Sequence, residues 1–193
     1  MKYSIIAVFI LTAALAGCSS KPDPSKERAM GLDGSLFVWE PGPAVAFVSG
    51  YETDGHYQAS GVQIIFPLSR RTARPIPGLE INLDPGMETG KEIDLGGGGR
   101  GLWVSYRLSS ARPLPEGIMV GYESGFPDAE GRLIIDVCDA RPGGRIKGKL
   151  AYARLRSAVY DQGAGDIVAS RKPSYLELWN WPFDLALDES PYQ

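Results

Sequence analysis

Thirteen of the chain's 15 prolines fall after Gly34, at positions 41, 43, 67, 75, 77, 85, 113, 115, 127, 142, 173, 182 and 191. A proline inside a helix costs about 3 kcal/mol, so long helices have few places to go. The gap from 85 to 113 is broken by Gly96 to Gly99, which leaves 143–172 as the one roomy helical window. The other intervals read as strands. AVAFVSGYE (44–52) and HYQASGVQIIF (56–66) flank Asp54-Gly55, a pair suited to the positive backbone angles of a tight hairpin. LEINL, EIDL, GLWVSYRL, GIMVGY, RLIIDV and SYLELWNW follow, rich in β-branched and aromatic residues and bounded by Gly or Pro clusters. The expectation is an all-β domain, an antiparallel β-sandwich or barrel of about eight to ten short strands.

GRIKGKLAYARLRSAVYD (144–161) obeys neither period throughout. Ile146, Gly148, Leu150 and Tyr152 alternate as in a strand, whereas Ala151, Tyr152, Leu155, Ala158 and Val159 form a helical stripe. Gly144 and Gly148 penalise a helix start. A strand is therefore expected, with at most one short helix near 151–160.

The chain opens as an export signal. Met1-Lys2 precedes the apolar run Ile5 to Leu11, and small residues follow at Ala13, Ala14, Ala16 and Gly17. The run is shorter than the roughly 20 residues of a membrane-spanning helix, and its flanks fit cleavage. Leu15-Ala16-Gly17-Cys18 resembles the lipobox of bacterial lipoproteins. That resemblance, confined to these residues, implies cleavage before Cys18, a diacylglyceryl group on the Cys18 thiol and an acylated amino terminus such as palmitate. It also implies a mature protein anchored to a membrane, since two or more acyl chains hold stably where one does not. In Gram-negative lipoproteins an Asp after the acylated Cys favours the inner membrane, so Ser19 suggests the periplasmic face of the outer membrane. The alternative is the outer leaflet of the inner or sole membrane. Residues 19–33, SSKPDPSKERAMGLD, read as an extended tether. A single domain is expected over 34–193.

Loss of residues 1–17 leaves 19 of the 20 basic residues against 23 acids, a formal charge of −4. Mild acidity argues against a nucleic-acid partner, whose phosphates demand Lys and Arg.

Signals for chemistry are sparse. The mature chain has one thiol besides Cys18, Cys138, and one imidazole, His56. A Cys-His nucleophile is conceivable. Yet Cys138 ends a strand pattern and reads as buried and inert, with redox or intermolecular pairing as alternatives, while His56 follows a turn. Asp128, Glu130, Asp136, Asp161 and Asp166 supply oxygen ligands but lack EF-hand spacing, and no metal or other cofactor is expected. DLGGGGRGLW lacks the GK[ST] ending of a phosphate loop and reads as a loop before a strand. Carboxylate pairs for glycoside hydrolysis are available, with nothing to select one.

Two surface candidates remain. In strand geometry Tyr175, Glu177, Trp179, Trp181 and Phe183 share one face of SYLELWNWPF and Leu176 and Leu178 the other, giving an aromatic strip for a sugar or a partner protein. Arg70, Arg71 and Arg74 gather in a proline-limited loop suited to an acidic partner. The expected function is that of a lipid-anchored cell-envelope protein whose β domain binds another envelope component, protein or glycan, without catalysis. The alternative is an envelope hydrolase acting on wall or surface polysaccharide or peptide.

Overall fold

The computed structural model describes residues 28–33, 35–37, 41–67, 77–95, 102–107, 118–161, 166–169 and 173–190. The signal segment, Cys18, the Arg70/Arg71/Arg74 loop and the tetraglycine loop lie outside them. The described residues form twelve strands and no helix. They are β1 (Ala29–Leu32), β2 (Ser35–Phe37), β3 (Val45–Thr53), β4 (His56–Pro67), β5 (Pro77–Leu83), β6 (Glu92–Asp94), β7 (Leu102–Arg107), β8 (Ile118–Glu123), β9 (Glu130–Cys138), β10 (Arg145–Asp161), β11 (Asp166–Ala169) and β12 (Tyr175–Glu189).

The strands belong to one sheet that bends back on itself. Pairings run from β12 through β3, β4, β5, β7 and β8 to β10, and β10 pairs β12 again. β1 and β2 extend the sheet beyond β12, β9 and β6 beyond β10, and β11 pairs the end of β10. The all-β, sandwich- or barrel-like class read from the prolines is what forms. Three details differ. There are more strands than expected, β10 and β12 are long, and one pairing, Leu187–Glu189 against Ala46–Val48, is parallel. In addition β1 lies inside the stretch read as tether. Its AMGL pairs with Leu176–Trp179, an apolar match that the polar composition before it concealed.

The Asp54-Gly55 hairpin forms as its residues dictate, with φ of 52° and 73° at the two turn positions and Thr53 opposite His56. Both angles are positive, which Asp tolerates and Gly adopts freely. Beyond the parallel contact with β12, this ribbon projects from the sheet.

Alternate residues fill the interior: Val62, Ile64 and Phe66 of β4, Leu79, Ile81 and Leu83 of β5, and Leu133 and Ile135 of β9 are all buried. Each large side chain removed from water contributes about 1.5–3 kcal/mol. Trp181, fully buried, packs edge-on against Phe66 with centroids 5.3 Å apart, and its indole N–H donates to the Ala29 carbonyl at 3.2 Å. That bond stitches β12 to the start of the fold and satisfies the buried indole donor.

In β10 and β12 the inward set changes phase midway. On β10 Ile146, Gly148 and Leu150 face inward, followed by Ala153, Leu155 and Ser157. On β12 Leu176 and Leu178 are followed by Trp181, Phe183 and Leu187. The switch points coincide: Leu150 pairs Trp181 and Tyr152 pairs Trp179, so Ala151 and Asn180 lie opposite each other. Asn180 has a φ of 54°, and the β9–β10 register slips between Leu150 and Tyr152. Each strand inserts one residue in the manner of a bulge, and because the insertions face each other the β10–β12 register runs on unbroken. This explains the mixed periodicity of 144–161: Leu150 and Ala153 are three apart, as inward residues of a helix would be. The segment is strand throughout, and the optional helix at 151–160 does not form.

Candidate functional site

The phase switch corrects the expected aromatic strip. Tyr175, Glu177 and Trp179 lie half-buried on the outer face, but Trp181 and Phe183 turn into the core. Pro182 is not the cause; the left-handed backbone at Asn180 is. The same switch turns Tyr152 outward, whereas an uninterrupted alternation from Ile146 would have buried it. Outer-face neighbours across β10 and β12 are then Tyr152 with Trp179, Arg154 with Glu177, and Arg156 with Tyr175. On the other side of β10, Arg132 pairs Tyr152 and Glu130 pairs Arg154. Beyond β9, Asp94 pairs Arg132.

These pairings build a ledge of rings and charges. Tyr152 and Trp179 lie 5.9 Å apart between centroids at 38°. The Tyr152 hydroxyl donates to Glu177 Oε1 at 3.2 Å, and Glu130 Oε1 lies 3.4 Å away. Burial and the two carboxylates push the phenol well above its ordinary range, so it remains a donor at any physiological pH. The Arg154 guanidinium stacks 4.1 Å from the Tyr175 ring centroid and reaches Glu130 at 3.7 Å. At that distance the cation is attracted to the face of the ring.

Below Arg154 the ledge is braced by Asp128. Its carboxylate accepts from the Tyr175 hydroxyl at 2.7 Å and from Arg156 Nη1 at 3.0 Å, while Arg156 also covers the Phe126 ring at 5.2 Å. The Tyr175 hydrogen bond, with Arg156 behind it, holds the Asp128 carboxyl below the usual range.

Beside Tyr152 the outer face sinks into a hollow of about 380 Å³ lined by Glu92, Asp94, Glu130, Gly131, Arg132 and Tyr152. Gly131 has no room for a side chain, since a Cβ there would overlap Leu95 and come within 2.7 Å of the Tyr152 carbonyl. A second, more open hollow of about 580 Å³ lies over Gly148, between Lys147, Lys149, Asp136 and Asp184. Arg145 clamps Asp184 there with two 2.6 Å bonds.

No known family, characterised protein or solved structure matches the chain. Function must be read from the geometry alone.

The remaining candidates are dispersed. His56 is exposed at the ribbon tip, and Cys138 is half-buried at the end of β9, opposite Ile146. Burial and the neighbouring Asp139 raise the Cys138 thiol, the opposite of what a nucleophile requires. Of the acids offered as metal ligands, Asp128 and Glu130 are committed to the bonds above, and Asp136 lines the Gly148 hollow. Asp161 is the ladder partner of Asp166 between β10 and β11. Arg70, Arg71 and Arg74 lie outside the described residues. Sequence reasoning missed Tyr152, Arg154, Arg156, Arg132 and Asp94. The alternation Tyr152-Arg154-Arg156 was visible, but only an assumed bulge would have assigned it to the outside.

Proposed function

We propose that this chain is a lipid-anchored protein of the bacterial cell envelope, acylated at Cys18, that binds another envelope component, protein or glycan, through the outer face of β9, β10 and β12. The lipobox resemblance supports the anchor. The binding reading is carried by one observation: the phase switch turns Tyr152 outward beside Trp179, which ordinary alternation already places outside, so that two large rings meet on the outer face. A large ring left half-exposed gives up the burial that Trp181 obtains two residues on, which suits a surface that waits for a ligand. Arg28, next to β1, is ten residues on from Cys18, so a fully extended chain lets it lie at most about 35 Å from the acylated thiol. The test is capture from gently solubilised envelope by the full-length lipoprotein, comparing wild type with Trp179→Ala. Capture of one component by wild type alone supports the reading, and equal capture by both removes the ledge from it.

A hydrolase remains a second reading on one observation, the convergence of the Glu130 and Glu177 carboxylates on the Tyr152 hydroxyl. A carboxylate pair is the minimum equipment of glycoside cleavage. Release of reducing ends from wall or surface polysaccharide by wild type, lost in both Glu130→Gln and Glu177→Gln, would favour it.

A further inference from the structure

Resting on the ledge as the binding surface, we infer that its ligand is an extended, uncharged glycan lying across the strands. Asp94, Arg132, Tyr152 and Trp179 are successive cross-strand partners on β6, β9, β10 and β12. With strands about 4.8 Å apart, this row is about 15 Å long, the scale of several linked sugars and much longer than one small molecule. Two tilted rings lie at one end and the 380 Å³ hollow at the other.

The polar groups narrow the chemistry. Around the row stand the carboxylates of Glu92, Asp94, Glu130 and Glu177, against the guanidinium groups of Arg132 and Arg154. Glu92 lies 3.8 Å from Arg132 and Glu130 3.7 Å from Arg154, and four carboxylates against two guanidinium groups make the row net negative. Ionised carboxylates only accept hydrogen bonds. A matching ligand therefore brings many donors, carries no negative charge and has flat apolar faces for the rings. Sugar hydroxyls and acetamido N–H groups donate, and the C–H face of a pyranose stacks on Tyr and Trp. An anionic glycan such as a polyuronate meets like charge and is rejected.

The test uses the detergent-solubilised full-length protein and three hexasaccharides: one of glucose, one of N-acetylglucosamine and one of galacturonate. Binding is followed by titration calorimetry. At least one uncharged hexamer should bind at least tenfold more tightly than the galacturonate hexamer. Trp179→Ala and Tyr152→Ala should each weaken it at least tenfold, with far-ultraviolet circular dichroism unchanged. Glu177→Gln keeps the packing and should cost several-fold, which guards against a folding artefact in the alanine variants. Preference for galacturonate, or no Trp179-dependent binding of any hexamer, would overturn the glycan inference. Trp179-dependent capture of an identified envelope protein alongside that negative result would leave the ledge standing as a protein-binding surface. Loss of both would remove the ledge itself.

Discussion

Ala151 and Asn180 lie opposite each other across the β10–β12 ladder, each the residue at which its strand changes face. One insertion alone would shear the register by a residue, whereas two opposed insertions exchange inside for outside on both strands at once. The ledge and the core packing of Trp181 are products of the same switch. Asn180 sustains it with a φ of 54°, a conformation that costs a side chain other than Gly about 1–2 kcal/mol and that Asn tolerates best. Asn180→Val should therefore lower stability by at least about 1–2 kcal/mol, while Asn180→Gly stays near wild type. Urea midpoints of the two variants decide this, and equal midpoints would contradict the strained-switch account.

Trp179 and Trp181 are adjacent on the same side of an ideal strand but not here. Trp181→Ala should cost about 3–5 kcal/mol, as expected for a fully buried Trp. Trp179→Ala should cost about 1 kcal/mol, the scale of a lost ring pair. Thermal unfolding of both variants checks the contrast, which a shared face would abolish.

Gly148 sits inside under Phe183, its partner on β12. A Cβ there would overlap the Ile134 carbonyl and come within 2.9 Å of the Phe183 ring. Gly148→Ala should destabilise by about 1–3 kcal/mol through overpacking. Gly61→Ala is the control, because its nearest neighbour, the Leu83 carbonyl, is 3.9 Å from the added carbon. The control should be neutral or slightly stabilising.

Asp128 makes acid sensitivity part of the ledge. Its carboxyl is held low in the folded protein, first by the Tyr175 hydroxyl and then by Arg156. A depressed folded value means the contribution is present above the unfolded value, near pH 4, and is lost as the pH falls through the folded one. Tyr175→Phe should move the Asp128 midpoint up toward the ordinary Asp range. Carboxyl-carbon NMR titration reads it directly, and an unchanged midpoint would show that the Tyr175 hydrogen bond is not the leading cause.

Cys138 should be a sluggish thiol. Burial and Asp139 both disfavour its thiolate, so alkylation by iodoacetamide at pH 7.5 should run several-fold slower than that of free cysteine. A rate equal to or above free cysteine would reopen a nucleophilic role.

Much of the fold was legible because its determinants are local. Prolines exclude helices wherever they fall, and Asp54-Gly55 specifies its hairpin by backbone preference alone. The site was legible only in part. Tyr175, Glu177 and Trp179 were assigned together by simple alternation, which holds from Tyr175 to Trp179 and fails at Asn180. Nothing in the one-dimensional pattern marks Asn180 as left-handed, since Asn also sits in ordinary strands. The three-residue step from Leu150 to Ala153 imitates a helix for the same reason. Tyr152 and Arg154 join the ledge only because β9 and β12 flank β10, a long-range pairing that no local signal encodes.

What touches Tyr152 in the living cell tests the proposed binding ledge most directly. An aromatic photo-crosslinking residue in place of Tyr152, which keeps a ring beside Trp179, compared with the same residue in place of Tyr51 on the projecting ribbon, which is 60% exposed, measures that contact. Position 152 should give one discrete adduct, lost when Trp179→Ala is added, and position 51 no comparable adduct. No adduct at 152, or the same adduct from both positions, would contradict the binding ledge.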